Sequence, residues 1–210
     1  MNPLLALRLA LVRLGFWIGT FRPVRERVVL ATGHSAAISG NLSWIRDGLR
    51  KQRPQVPVVE LAHAPGGGRR RLIGTAIHAL RSGYHLAAAR LFVVDDYFFP
   101  MYAIRPRAGT RFVQVWHACG AFKKFGYSVA DKAFGAGEAR LDALPIHTNY
   151  DLCLISSRRF VAAYAEAFRQ PAGRFVAAEN VAELIVFLCG PAGRDITGSS
   201  LPIDAGWLAS

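Results

Sequence analysis

The sequence predicts an α/β protein organised on a parallel, Rossmann-like sheet. Short apolar runs of buried-strand length recur at 28–30, 56–62, 91–94, 112–115 and 151–155. Longer stretches of helical character separate them, the alternation that builds parallel sheets through right-handed crossovers. The runs end in Gly, Ser, Asp or His, the residue types that line the carboxyl edge of such a sheet, where ligands sit. A hydrophobic fraction of 52% supports a packed core rather than disorder.

Residues 1–21 are rich in Leu and aromatics but carry Arg8 and Arg13 inside the run. A spanning helix wants about 20 apolar residues with few or no charges. No basic region precedes the run and no A-x-A site follows it, so a secretory signal fits poorly. An amphipathic helix lying in a membrane interface fits better, with Phe16 and Trp17 near the headgroups and Arg22, Arg25 and Arg27 just beyond. An ordinary helix packed on the domain is the alternative.

The first strand, 28–30, leads into a loop holding Gly33, His34, Ser35, Ser39 and Gly40, and a helix follows with Asn41 as N-cap. The loop is not G-x-G-x-x-G, so a dinucleotide fingerprint is absent. After the second strand, three glycines lead to Arg69, Arg70 and Arg71. A helix over 72–90 has Ile73, Ile77 and Leu80 on its apolar face, with His78 and His85 solvated or capping. The third strand ends in Asp95 and Asp96, followed by Tyr97, Phe98, Phe99 and Tyr102 as core or lid. The fourth runs out through Trp116 and His117 into Cys119, Gly120, Lys123 and Lys124. The fifth ends at Ser156 and Ser157, and a helix covers 158–169. Histidine suits proton transfer near neutral pH. Glycine backbone and lysines suit an anion.

Charge divides the chain. Lys and Arg number 26 against 14 Asp and Glu, a net of +12. Residues 171–210 hold Arg174 and Arg194 against Glu179, Glu183, Asp195 and Asp204, so this tail is net −2 and the body +14. A basic body seeks anions: nucleic acid, an acidic membrane surface or a phosphorylated substrate. No nucleic-acid module or basic–aromatic pattern supports the first. The three cysteines, Cys119, Cys153 and Cys189, are widely spaced, odd in number and in no C-x-x-C motif. They are neither a disulfide framework nor a zinc site, and they fit a reducing compartment.

Several motifs in order, SGNLSWIRDGL (39–49), VVDDYFFPMY (93–102), QVWHACGAFKKFGYS (114–128) and HTNYDLCLISS (147–157), resemble the CDP-glycerol glycerophosphotransferase family of teichoic-acid-type primases and polymerases. The third looks like that family's W-H-G…K-K-x-G pattern, with Ala118 where glycine is usual. The resemblance covers residues 1 to about 170. It implies the N-terminal half of a GT-B fold: an acceptor-side domain, 22–170, behind the helix of 1–21. It further implies a cytoplasmic protein peripheral to the inner membrane face, taking CDP-glycerol and a polyol-phosphate acceptor. His117 would be the general base. Asn41, Asp95, Asp96, Gly120, Lys123 and Lys124 would bind substrate, with no metal and no other cofactor. A nucleotide-binding domain would follow residue 170. In its place, 173–210 resembles the C-terminal end of a short-chain dehydrogenase/reductase, with its last helix near 178–188, a D-I-T-G turn and a final strand near 201–203. The sequence therefore reads as a fusion whose transferase half has little turnover alone. A membrane-associated anion-binding module without catalysis, and an NAD(P)-dependent dehydrogenase fragment, are the other readings.

Overall fold

The computed structural model describes residues 3–63, 69–116, 121, 124–129 and 145–177. They form one six-stranded sheet. Its strands are β1 (Arg25–Thr32), β2 (Val58–Ala62), β3 (Ala89–Val94), β4 (Arg111–Gln114), β5 (Leu152–Ile155) and β6 (Phe175–Ala177). The order is β2-β1-β3-β4-β5-β6 and every pairing is parallel. Register runs straight across the middle, with Val29 opposite Phe92 and Phe92 opposite Phe112.

Alternation along the strands feeds two cores. Val28, Leu30, Leu91, Val93, Val113, Val115, Leu152, Leu154 and Val176 point to one face. There they meet Leu42, Ile45 and Leu49 of helix α2 (Gly40–Gln52). Val29, Ala31, Phe92, Val94, Phe112, Cys153, Ile155 and Phe175 point to the other. That face is covered by α3 (Arg69–Ala88), by the single turn α4 (Phe99–Tyr102) and by α5 (Val161–Phe168). The helices on both faces make the sheet doubly wound, as a βαβ pattern requires.

Helix α1 (Pro3–Thr20) forms a further layer outside α3. Glycines set the contact. A Cβ on Gly15 would fall 2.0 Å from the Leu80 carbonyl oxygen, and one on Gly83 the same distance from that of Val12. At Gly19 a Cβ would lie 2.6 Å from the Tyr84 carbonyl oxygen and 2.8 Å from the Ala87 Cβ. Gly15 and Gly19 form a G-x-x-x-G pair, and small residues at this spacing let two helix backbones approach closely. Arg107 closes the far end by donating through Nη1 to the carbonyls of Gly19, Arg22 and Ala87.

Three expectations change. Residues 171–177, expected to belong to a separate tail, instead form a 3₁₀ turn at Ala172–Arg174 that leads into β6, which pairs with β5 with Phe175 opposite Cys153. The sheet unit therefore extends past 170, because the short apolar run Phe175–Ala177 has a strand edge to join. The remainder of the dehydrogenase-like segment, 178–210, lies outside the described residues. Ile73 and Ile77, expected on the apolar face of this helix, are 62% and 53% exposed. His78 is buried rather than solvated, stacked on His63 at 4.8 Å and hydrogen-bonded to Ser82.

Candidate functional site

The chain steps outward from β1 to β2 and then crosses back to β3, so the sheet has a switch point between the carboxyl ends of β1 and β3. A crevice opens at such a point because the connections on either side leave in opposite directions. Here Thr32 and His34 follow β1, and Asp95 and Asp96 follow β3. His34 Nδ1 lies 3.0 Å from Thr32 Oγ1, 3.2 Å from Asp96 Oδ2 and 4.0 Å from Asp95 Oδ1. A carboxylate beside Nδ1 favours the tautomer that carries its proton there, leaving the lone pair on Nε2. The His34 side chain is 46% exposed, while Asp95 is buried. Burial pushes the Asp95 carboxyl above its ordinary range, and hydrogen bonding to Thr32 and the nearby His34 partly offset that push.

A second cluster forms at the end of β4. Trp116 has a left-handed backbone, φ 48°. That conformation costs a residue bearing a Cβ roughly 1–2 kcal/mol, so something must hold it. The Trp116 N–H donates to Gln114 Oε1 at 2.9 Å. Asn41 Nδ2 donates to the carbonyls of Trp116 and Val115, at 2.7 and 3.3 Å. The indole stacks on Phe125 at 5.2 Å and meets Phe168 edge-on. Gln114 is itself fixed, donating through Nε2 to the Asp96 carbonyl and to Tyr150 Oη. Tyr150 Oη shares a 2.5 Å hydrogen bond with Tyr102 Oη and contacts His147 Nδ1 at 3.3 Å. Every member of this chain from Gln114 to His147 is buried. Burial drives the His147 imidazole down to about 3, so the ring is neutral, and it raises both phenols. The turn after β4 and the backbone after β3 are thus joined by one side chain, Gln114.

Of the residues expected in the site, Asp95 and Asp96 reach the switch-point crevice. Asn41 lies one residue inside α2, whose N-cap is Ser39; its amide is committed to the β4 turn rather than to capping. Lys124 is exposed. His117, Gly120 and Lys123 lie outside the described residues, although Trp116 immediately precedes His117 in the chain. Ser157 occupies the cap of the 3₁₀ turn Arg158–Phe160, with no cap hydrogen bond from its side chain. Sequence reasoning missed His34 and Gln114. The strand order would have found His34, since it sets the ends of β1 and β3 side by side. Gln114 carried a signal too, as a polar residue inside an apolar strand. Among the described residues, no group of three or more His, Cys, Asp or Glu forms a metal site.

A model of the family described as CDP-Glycerol:Poly(glycerophosphate) glycerophosphotransferase matches residues 16–178. The chain is 40% identical over 147 residues to a teichoic acid ribitol-phosphate primase of Bacillus spizizenii, covering 69% of this chain and 37% of that protein. It is 32% identical over 151 residues to the teichoic acid ribitol-phosphate polymerase TarL of Staphylococcus aureus, covering 70% of this chain and 25% of that one. Among solved structures, the wall teichoic acid polymerase TagF, in a histidine variant soaked with CDPG, superposes with a TM-score of 0.54. The identity is 12%, over 72% of this chain and 39% of that one. That likeness establishes the fold, a Rossmann-like α/β domain on a parallel sheet. The chain spans less than two fifths of the length of the curated relatives it matches.

Proposed function

Because the chain belongs to the CDP-glycerol:poly(glycerophosphate) glycerophosphotransferase family, we propose that it forms the acceptor-side half of an enzyme of teichoic-acid-type polymer synthesis. That enzyme moves a polyol phosphate from a CDP-linked donor to a polyol acceptor. One observation supports the reading above the others: the switch-point crevice and the held turn before His117 lie on the same sheet edge and are tied together by Gln114. In such a transfer the acceptor hydroxyl attacks the β-phosphorus, the bond to the bridging oxygen breaks, and CMP leaves with that oxygen. The protein's share is positioning and charge stabilisation. His117 takes the hydroxyl proton. Lys123, Lys124 and the Gly120 N–H hold phosphate oxygens. Asp95, Asp96 and His34 accept hydrogen bonds from the polyol hydroxyls.

Titration with a glycerol phosphate or ribitol phosphate oligomer tests the acceptor role. Saturable binding that Asp96→Asn weakens about tenfold or more is expected, and absence of binding would overturn it. Acceptor-dependent CMP release from CDP-glycerol or CDP-ribitol tests the chemistry separately. A release rate unchanged in His117→Ala removes that histidine from the mechanism.

The same enzyme works at a membrane surface in this reading. Among the described residues, α1 is the one helix long and apolar enough to span a bilayer, but it carries the half-buried Arg8 and the exposed Arg13, both in contact with the domain. The Arg8 guanidinium sits 4.4 Å from the Phe99 ring centroid, and Arg13 Nε donates to the Ala103 carbonyl. The outward side presents Leu4, Leu7, Leu14, Trp17, Ile18 and Phe21, each at least 41% exposed. Such a face lies in an interface rather than crossing it, and exposed Arg22 and Arg25 follow it in the chain. Co-sedimentation with phosphatidylglycerol vesicles, reduced by salt and lost in Trp17→Asp, is the expected result.

A further inference from the structure

Between α1 and the first half of α3 lies a cavity of about 580 Å³, within the range of about 300–1,000 Å³ typical of ligand pockets. Its walls grade from one end to the other. Leu4, Leu7 and Leu72 line it and are 58%, 56% and 54% exposed, so its mouth opens on the apolar outer surface. Phe98, Phe99 and His78 line it and are buried, so they form its floor. Gly33 and Tyr97 line it as well, and they are the chain neighbours of His34 and Asp96, so the inner end reaches the sheet edge.

Arg8 is the single permanently charged side chain among the described lining residues. Its Nε is buried and has no hydrogen-bond partner among the described residues. Among the described residues no carboxylate forms an ion pair with this guanidinium, and a buried unsatisfied donor on a charged group costs more than a neutral one. The two histidines among the described lining residues supply no negative charge. His63 is bonded to Thr75 Oγ1, His78 to Ser82, and burial lowers both imidazoles, so they are neutral at neutral pH.

An apolar mouth with a cation at its inner end suits an amphiphile entering head first. We propose that this cavity takes one anionic lipid from the bilayer, its headgroup oxygens on Arg8 and the start of its hydrocarbon chain against the leucine rim. Continuity with the exposed face of α1 fixes the source, because the mouth opens where that face would meet lipid. The inference stands apart from the transferase reading, as none of its residues is placed in the transfer chemistry.

Dodecyl phosphate below its micelle concentration is the probe, with dodecanol and inorganic phosphate as controls. One-to-one saturable binding of dodecyl phosphate is expected, at least about tenfold tighter than either control. Ala76→Phe, which fills the cavity from α3, should weaken it by about tenfold or more, and Arg8→Met should bring its affinity near that of dodecanol. Vesicle co-sedimentation should be unchanged in Ala76→Phe, which separates this pocket from surface association. Absence of saturable binding, or binding indifferent to Ala76→Phe, overturns the proposal. So does a dimer that Ala76→Phe dissociates, which would assign the groove to a second copy of the chain.

Discussion

The two faces of the sheet are built from alternate residues of the same strands, yet their contents differ. Under α2 the core is aliphatic throughout, and its described members carry no polar side-chain atom. Under α3, α4 and α5 it is aromatic, with Phe92, Phe112, Tyr150, Tyr164, Phe168 and Phe175. That face also contains the buried hydrogen-bonded chain from Gln114 to His147. Branched aliphatics fill space without preferring a hydrogen-bond geometry. A buried polar network does prefer one, because each unsatisfied member costs about 1–3 kcal/mol. The aliphatic face can therefore supply stability alone, while the aromatic face also fixes the turn at Trp116 and the backbone at Asp96.

Four substitutions separate these roles. Phe168→Ala removes the ring that stacks on His147 at 4.0 Å and supports Trp116. It should cost about 3–5 kcal/mol by denaturant unfolding and also abolish acceptor binding. Leu154→Ala, fully on the aliphatic side, should cost about 2–5 kcal/mol while leaving acceptor affinity within about twofold of the parent once folded. A large affinity loss there would erase the distinction between the faces. Gln114→Leu reverses the pattern. It should cost only about 1–3 kcal/mol, yet release the Trp116 N–H and the link to Asp96, and affinity should fall with it. The fourth test concerns pH. Burial holds His147 at about 3 in the folded protein against an ordinary 6.5, so the unfolded chain binds the extra proton between those values. Stability is therefore complete above about pH 6.5 and is lost as pH falls toward 3. His147→Phe should flatten that acid limb by up to about 1.4 kcal/mol per pH unit, measured as unfolding free energy across pH 4–6.5.

The strands and the two acids after β3 were legible in the sequence because each is a local signal: an apolar run and what ends it. What escaped depended on distant partners. His34 becomes a site residue only when β1 and β3 are neighbours, a fact fixed by strand order rather than by the loop around it. Asn41 looked like a cap because it precedes a helix, but its amide finds carbonyls more than 70 positions away. Gly15 and Gly19 mark a tight helix contact only once Gly83 is opposite. Ile73 and Ile77 keep the spacing of a buried face on a surface that stays exposed. β6, three residues long, was hidden at a boundary drawn from charge, and charge says nothing about which edge a short strand can join.

The close contact between α1 and α3 also sets an order of events during synthesis. α1 is made first, and the backbone surface it docks on, around Leu80 to Ala87, is made roughly 70 residues later, a delay of several seconds at about 5–20 residues per second. Through that interval its glycine seam and its leucine face are both uncovered, and under the proposed membrane docking a nearby bilayer competes with the unfinished domain for the same helix. The order of capture is then a matter of kinetics. A chain that meets lipid early folds its sheet while already tethered, and one that does not must expose the same leucines to water until the helix pair closes.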